Sequence, residues 1–263
     1  MRRSILYCLL QLLTLASCKQ FLFHPNEVGP DEKGLNNYNI ERIANLDTAP
    51  VFNFILLGDT QRFYEDLDDF INHVNSLNNI SFVLVAGDLV DFGLNREYNW
   101  IASKFGKFNI PYISVIGNHD MLANGRKIFT EMFGPENFTF FYGRNKFICL
   151  NSNSREVDFD GHVPDINWLK QQLNDSIANN IFVLSHVPPF SVDFDKRLEP
   201  AFSESLAAQA KTRISMHGHE HQFKFLNPYP GGLPYLVAAA TNDRSYALIT
   251  VNREQISVTE KHY

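Results

Sequence analysis

Short runs of Val, Ile, Leu and Phe recur along the chain, and each of them ends in a polar loop. Val51 to Leu57, Phe82 to Ala86 and Tyr112 to Ile116 are mostly apolar, which predicts strands covered on both faces. Glu65 to Leu77 carries apolar residues at helical spacing, and a further helix is predicted from Arg96 to Phe105. This alternation of strand, loop and helix predicts parallel βαβ units in an α/β fold.

The pattern becomes less regular in the second half of the chain. Phe138 to Tyr142 and Phe147 to Leu150 flank Gly143-Arg144-Asn145, which predicts a hairpin turn between two strands. Further helices are predicted at 125–133, 165–173 and 204–211, and further strands at 181–184, 213–216, 233–238, 247–251 and 255–258. With 263 residues and 44% hydrophobic content, the chain is long enough for one sizeable core.

The amino terminus has the composition of an export signal. Met1-Arg2-Arg3 is basic, and Ile5 to Ala16 is mostly apolar but shorter than the roughly 20 residues that cross a bilayer. Leu15-Ala16-Ser17-Cys18 resembles the lipobox of bacterial lipoproteins, whose cysteine is lipid-modified. We therefore expect residues 1–17 to be a lipoprotein signal peptide. Cys18 would then anchor the exported protein to the periplasmic or cell-surface side of a bacterial membrane. An ordinary cleavage site or a buried cysteine is the alternative.

Residues 18–50 are polar and interrupted by Pro and Gly, which predicts a tether or a strap on the domain surface. Within this segment, Ile40 to Leu46 is compatible with a short helix that packs on the body. We expect one catalytic domain over residues 51–263.

The charge balance excludes one class of partner. The formal net charge is −6, and no dense Lys/Arg run is present, so binding to a nucleic-acid polymer is not expected. A small phosphate ester stays compatible with this charge, because bound metal cations would dominate the local field.

Five polar motifs follow the apolar runs. They are Gly58-Asp59-Thr60-Gln61, Gly87-Asp88-Leu89-Val90-Asp91, Gly117-Asn118-His119-Asp120, Ser185-His186-Val187-Pro188 and Gly218-His219-Glu220-His221. Open α/β sheets build their sites from loops beyond the carboxyl ends of their strands. Carboxylate, amide and imidazole donors together suit Mn, Fe, Co or Zn better than Ca. Each motif alone is also compatible with an ordinary turn or a solvated histidine. The motifs offer six such donors, namely Asp59, Asp88, Asn118, His186, His219 and His221. Six donors exceed one tetrahedral site, and a two-metal site about 3.5 to 4 Å across, with one bridging carboxylate, accommodates them.

The ordered set of motifs resembles the calcineurin-like metallophosphoesterase superfamily, and the resemblance covers Val51 to Val258. It implies an α/β fold, a four-layer α/β/β/α sandwich of two mixed sheets. It also implies two divalent metal ions, Mn, Fe or Zn, with Mg possible. Carried over to this chain, the first metal would be held by Asp59 and His221, the bridge would be Asp88, and the second metal would be held by Asn118, His186 and His219.

The same resemblance implies that His119 is a general acid, or a hydrogen-bond donor, to the leaving oxygen, with Asp91 orienting its other ring nitrogen. The alternative for Asp91 is a carboxylate that caps a loop. The first motif departs from the family pattern, Asp-x-His, because Gln61 stands in the third place; Gln61 would either ligate the metal or hydrogen-bond a bound water. Arg62 is a candidate phosphate clamp or an ordinary surface arginine. Asp120 is expected to cap a loop.

The activity implied is hydrolysis of a small phosphate ester, as a phosphatase or a phosphodiesterase, with a metal-activated water as the nucleophile. One alternative is a lipoprotein that binds metal or a phosphate ligand but has reduced catalysis, which Gln61 would favour. Another is a zinc hydrolase acting on a carbon ester, which the amide of Asn118 disfavours.

Overall fold

A computed structural model of the protein describes residues 27–263, so the predicted signal peptide and Cys18 lie outside the described residues. The helices are α1 Leu35–Ala44, α2 Tyr64–Ser76, α3 Asn95–Phe105, α4 Gly125–Met132, α5 Ile166–Leu173 and α6 Glu199–Ala208. The strands are β1 Val51–Leu57, β2 Phe82–Val85, β3 Tyr112–Ser114, β4 Phe138–Tyr142, β5 Asn145–Cys149, β6 Asn180–Leu184, β7 Thr212–His217, β8 Lys224–Leu226, β9 Tyr235–Val237, β10 Ser245–Asn252 and β11 Gln255–His262. Across residues 27–263, no helix is both long enough and apolar enough to cross a membrane.

The strands form two mixed sheets. The first has the order β11-β10-β1-β2-β3, in which β1, β2 and β3 are parallel and β10 runs antiparallel to β1. The second has the order β4-β5-β6-β7-β9-β8, with a parallel centre and an antiparallel strand at each edge. This topology confirms the expected α/β fold with two mixed sheets.

Alternating side chains of the central strands divide the interior into layers. On β1, Phe54 and Leu56 enter the core between the two sheets, whereas Ile55 and Leu57 enter a core shared with α2, α3 and α4. On β6, Val183 points away from the middle core toward α5 and α6. Because successive strand residues face opposite ways, these three cores separate four layers, with helices outside and sheets inside.

The middle core is closed by aromatic side chains. The rings of Phe147 and Phe182 stack at 4.8 Å between centroids, and Phe54 of the opposite sheet meets them edge-on at 5.5 and 5.7 Å. Such pairs each contribute about 0.5 to 1.5 kcal/mol beyond burial, so they hold the two sheets in one relative position.

Two helices differ from their predicted bounds by more than one residue at an end. The helix predicted from Glu204 begins at Glu199, because Pro200 lies in its first turn, where proline costs no hydrogen bond. The helix predicted from Ile40 to Leu46 is α1, which begins earlier, at Leu35. Strand β8 was not predicted, because its three residues form an exposed edge without an apolar run.

Helix α1 covers the β3 edge of the first sheet. Its Asn36 side chain accepts from the Ser114 amide at 3.0 Å and donates to the Ser114 carbonyl at 2.8 Å, and Asn39 accepts from the Tyr112 amide at 3.3 Å. These side chains replace a neighbouring strand and satisfy the edge groups of β3. Leu35 and Ile43 are the buried apolar residues of this helix.

Candidate metal centre

The six predicted metal ligands follow strands of both sheets. Asp59, Asp88 and Asn118 come after β1, β2 and β3 of the first sheet, and His186, His219 and His221 come after β6 and β7 of the second. The structure brings all six side chains to one region, where the carboxyl ends of the two sets of parallel strands meet.

The loops that carry these side chains have unusual backbone conformations. Asp88, His219 and His221 have positive φ values of 52°, 72° and 54°, a conformation that costs a side-chain-bearing residue about 1 to 3 kcal/mol. Gly117 is required for close approach, since a Cβ there would lie 2.1 Å from the Asp88 amide nitrogen. Local strain at ligand positions is typical of a functional site.

One set of donor atoms surrounds the amide oxygen of Asn118. His186 Nε2 lies 2.9 Å and His219 Nδ1 lies 3.0 Å from Asn118 Oδ1, and His186 Nε2 lies 3.4 Å from Asp88 Oδ1. Two atoms bound to one cation at about 2.1 Å lie roughly 3.0 to 3.4 Å apart, so these spacings fit ligands of a shared ion.

The other ring nitrogens of the two histidines have acceptor partners. His186 Nδ1 donates to the Ala86 carbonyl oxygen at 2.7 Å, and His219 Nε2 donates to Asp193 Oδ2 at 3.0 Å. In the neutral rings, the lone pairs of His186 Nε2 and His219 Nδ1 therefore point toward Asn118 Oδ1, itself an acceptor. Acceptors that face one another in this way are satisfied by a cation between them.

The other set of donors contains Asp59, His221 and Gln61. His221 Nε2 lies 3.3 Å from Asp59 Oδ1, a buried oxygen that has no hydrogen-bond partner among the described residues. The Oε1 atom of Gln61 is likewise buried without a partner there. Unpartnered buried oxygens are costly unless a cation or water binds them, so both fit the predicted metal position. His221 is the least enclosed ligand, with 45% of its side chain exposed.

The electrostatic field at the centre favours positive charge. Donor atoms of Asp59, Asp88 and His186 lie within 4.8 Å of one another, and all three residues are buried. Burial alone would lower the pKa of His186, but the Asp88 and Asp59 carboxylates outweigh it and raise that pKa to about 10. Burial would raise the pKa of Asp88, but His186 and the His119 backbone lower it to about 2. The residues present therefore suit a divalent cation.

His119 lies beside this cluster, and its predicted contact with Asp91 is made through the backbone of Asp91. His119 Nδ1 donates to the backbone carbonyl oxygen of Asp91 at 2.9 Å, not to its carboxylate. The Asp91 carboxylate instead binds Arg62, with 2.6 Å between Oδ1 and Nε. Asp91 thus orients His119 through a neutral acceptor, and Arg62, the predicted phosphate clamp, is engaged by an ion pair.

The Asp120 carboxylate caps loops, as expected. It accepts from the amides of Leu89 and Val90 at 2.9 and 3.1 Å and from the Gly117 amide at 2.8 Å. It therefore ties the Asp88 loop to the Asn118 loop.

Several residues near the centre were not predicted. Ser152 Oγ accepts from the Val187 amide at 2.8 Å, and Asn153 donates to the Ile116 carbonyl at 3.0 Å, which fixes the loops of His186 and Asn118. A run of small polar residues directly after an apolar strand, Asn151-Ser152-Asn153-Ser154, was the available signal. Asp193 lies in no recognisable motif, and only the fold shows its contact with His219.

Two mixed sheets with an Asp, Asn and His cluster at their shared carboxyl end define the architecture of a metallophosphoesterase. A family model described as calcineurin-like phosphoesterase matches residues 52–223, and the chain belongs to this family.

Individual relatives are more distant. A probable cyclic nucleotide phosphodiesterase of Moraxella catarrhalis (strain BBH18) is 27% identical over 183 residues, which cover 62% of this chain and 66% of that protein. A probable glycerophosphodiester phosphodiesterase of Arcobacter nitrofigilis is 25% identical over 139 residues, which cover 50% of this chain and 51% of that protein. The chain thus spans between half and two thirds of the length of these relatives. The solved structure of a dimetal phosphatase from Danio rerio shares the fold at a TM-score of 0.67 and 14% identity, over 81% of this chain and 97% of that chain.

Proposed function

We propose that the protein is a metal-dependent hydrolase of phosphate diesters with a dinuclear metal centre. The observation that carries this proposal is the convergence of carboxylate, amide and imidazole donors from both sheets, with Asp59, Asp88 and His186 within 4.8 Å of one another. In this assignment one ion would be held by Asp59, Gln61 and His221 and the other by Asn118, His186 and His219, with the Asp88 carboxylate available to both.

When bound, two divalent cations polarise the phosphate oxygens and supply a nucleophilic water at neutral pH. The protein's own part is to position the ester and to move a proton. His119 Nδ1 is held by the Asp91 carbonyl, so Nε2 is the ring atom available to protonate the leaving oxygen. Asp120 keeps the loops of Asp88 and Asn118 together while the ester binds.

The charge of the surroundings supports a diester over a monoester. Arg62 and Arg155, which contact residues beside the centre, are each paired with a carboxylate, Asp91 at 2.6 Å and Asp193 at 2.9 Å. A monoester carries an additional negative charge that an uncommitted arginine would offset, whereas a diester carries one charge. The relatives named probable phosphodiesterases support the same choice.

The surface next to His119 suits an organic substituent. Phe92 and Leu122 expose 57% and 43% of their surface. Their two loops are in contact, because Gly93, next to Phe92, packs against the Leu122 carbonyl. A diester has a second organic group that such apolar surface can contact.

The test compares p-nitrophenyl phosphate with its bis ester, each with Mn²⁺, Fe²⁺, Zn²⁺ or Mg²⁺. We expect metal-dependent cleavage, with higher kcat/KM for the bis ester. Preference for the monoester would overturn the assignment to diesters. Stoichiometric metal binding without cleavage of any ester in a broad panel would support the metal-binding lipoprotein instead.

We further propose that the protein is exported and lipid-anchored through Cys18, on the basis of the lipobox-like sequence alone. The variant Cys18→Ser is expected to leave the membrane fraction, and unchanged membrane association would contradict the proposal.

A further inference from the structure

The structure contains a charged contact behind His219 that the proposed catalytic residues do not use. Asp193 Oδ2 accepts from His219 Nε2 at 3.0 Å, and Asp193 Oδ1 accepts from Arg155 Nη1 at 2.9 Å. The three side chains form a chain from the exposed guanidinium of Arg155 to the ring that faces Asn118.

The backbone around Asp193 holds its carboxylate in place. The Asp193 amide donates to Ser191 Oγ at 3.3 Å, and the next side chain, Phe194, is fully buried against Phe202 with 5.5 Å between ring centroids. The Asp193 side chain itself is only 20% exposed. A carboxylate on such an anchored loop can fix the orientation of a neighbouring ring.

A second connection joins the same two loops. Arg197 binds the Asp195 carboxylate and also donates to the backbone carbonyl of Phe159. The segment containing Arg155 is therefore tied to the segment containing Asp193 at two places, so the contact with His219 does not depend on Arg155 alone.

The two histidines around Asn118 are supported differently. The distal nitrogen of His186 meets a neutral carbonyl, that of Ala86, whereas the distal nitrogen of His219 meets a carboxylate. A carboxylate acceptor keeps the proton on Nε2, leaves the Nδ1 lone pair free, and increases the electron donation of the ring to a metal.

We propose that Asp193 is a positioning residue that holds His219 as a metal ligand through Nδ1, and that Arg155 holds Asp193 in turn. The inference rests on the metal centre of the proposed function, but not on the identity of the ester.

The test measures binding of Co²⁺ alone by titration calorimetry and by its visible absorption, without any substrate. Loss of a residue that supports a metal-bound histidine lowers metal affinity by about 10- to 100-fold. We expect Asp193→Ala to lower the Co²⁺ affinity of the metal position that contains Asn118 by this factor. Asp193→Asn keeps an acceptor oxygen but no charge, so its loss of affinity should be smaller. Arg155→Met should weaken binding less than Asp193→Ala. Asp160→Asn removes the same charge from an exposed nearby loop and should bind Co²⁺ as the unmodified protein does.

A double-mutant cycle separates positioning from general loop damage. If Asp193 acts through His219, adding Asp193→Ala to His219→Ala should not weaken Co²⁺ binding further. Additive losses, or Asp193 variants that bind Co²⁺ with unchanged affinity, would overturn the inference. Should Asp193→Ala fail to fold, as judged by its thermal transition, the Asp193→Asn variant carries the same cycle.

The inference and the proposed function fail separately. If the unmodified protein binds Co²⁺ and no phosphate ester is cleaved, the function is wrong while the effect of Asp193 is still measured. If esters are cleaved and the Asp193 variants bind Co²⁺ normally, the inference is wrong and the function stands.

Discussion

At the scale of single residues, the chemistry of the centre depends on which ring nitrogen of each histidine its hydrogen bonds leave available. The partners of His186, His219 and His119 each engage one ring nitrogen and leave the other available. Two of these free nitrogens face the ligand cluster. His119 is half-buried at its margin, which suits a proton donor rather than a ligand.

Removing the His119 ring should therefore affect chemistry and not metal content. We expect His119→Ala to retain both metals and to lower kcat by about 10²- to 10⁴-fold, the contribution typical of general acid–base catalysis. The loss should be largest for esters with poor leaving groups, because these need protonation most. Metal analysis and rates across a series of leaving groups provide the measurement. His162→Ala, at an exposed loop histidine, is the control, and a loss of metal in His119→Ala would identify His119 as a ligand instead.

The two metal positions should differ in affinity. Gln61 offers a neutral amide oxygen and His221 is half-exposed, whereas His186 and His219 are enclosed and are each oriented by an acceptor at the distal ring nitrogen. Titration with Mn²⁺ should therefore show one tight and one weak step. Gln61→His should tighten the weak step, since imidazole is the better donor to such ions. Two equal steps in the unmodified protein, or no change in the variant, would contradict this assignment.

The predicted ligands share one signal in the sequence, because each follows an apolar strand by a few residues, as Asp59 follows β1. This signal does not reach Asp193, because no spacing along the chain relates that residue to His219, which lies 26 positions away. The sequence also did not indicate which atom of Asp91 contacts His119, since the choice between carbonyl and carboxylate depends on the position of Arg62.

At the scale of elements, the loops after β2 and β3 act as one unit because Asp120 bonds to both. Three backbone amides donate to its buried carboxylate. These amides would be left without an acceptor if the side chain were shortened.

We expect Asp120→Ala to lower the free energy of unfolding by about 3 kcal/mol or more, because each unsatisfied buried donor costs about 1 to 3 kcal/mol. Asp120→Asn should lose less, since one acceptor oxygen remains. Urea denaturation measures the difference, with the exposed Asp243→Ala as the control. An unchanged midpoint in Asp120→Ala would show that the loops are held by other contacts.

Most elements could be predicted because their apolar periodicity is strong, as in β1 and β4, whose bounds agree with the predicted ranges. The exceptions are elements whose stability comes from the tertiary fold. Helix α1 is polar along much of its length, and two of its asparagines are buried against β3 rather than exposed in a loop.

At the scale of the whole molecule, the chain is organised around the junction of two sheets. Neither sheet alone supplies the donor set, since carboxylates and the amide come from one and histidines from the other. The sequence could not establish this division, because strand order depends on packing between segments far apart in the chain.

The predicted domain start at Val51 can be tested at this scale. A chain beginning at Val51 lacks α1, and so loses the burial of Leu35 and Ile43 and three side-chain hydrogen bonds to β3. We expect a loss on the order of 5 kcal/mol in unfolding free energy, together with aggregation through the exposed edge. Thermal unfolding and light scattering, with a chain beginning at residue 27 as the control, provide the comparison. Equal stability and dispersity would show that residue 51 is a true domain boundary.

The central claim, that two cations share the Asp88 carboxylate, is tested most directly by counting metals. The Asp88 side chain is 2% exposed and lies between the two donor sets, so Asp88→Asn removes its charge with little change of shape. We predict two divalent ions per chain in the metal-loaded protein. The Asp88→Asn variant should bind fewer than two ions and should lose diester cleavage. Two ions retained in Asp88→Asn with undiminished cleavage would contradict the account.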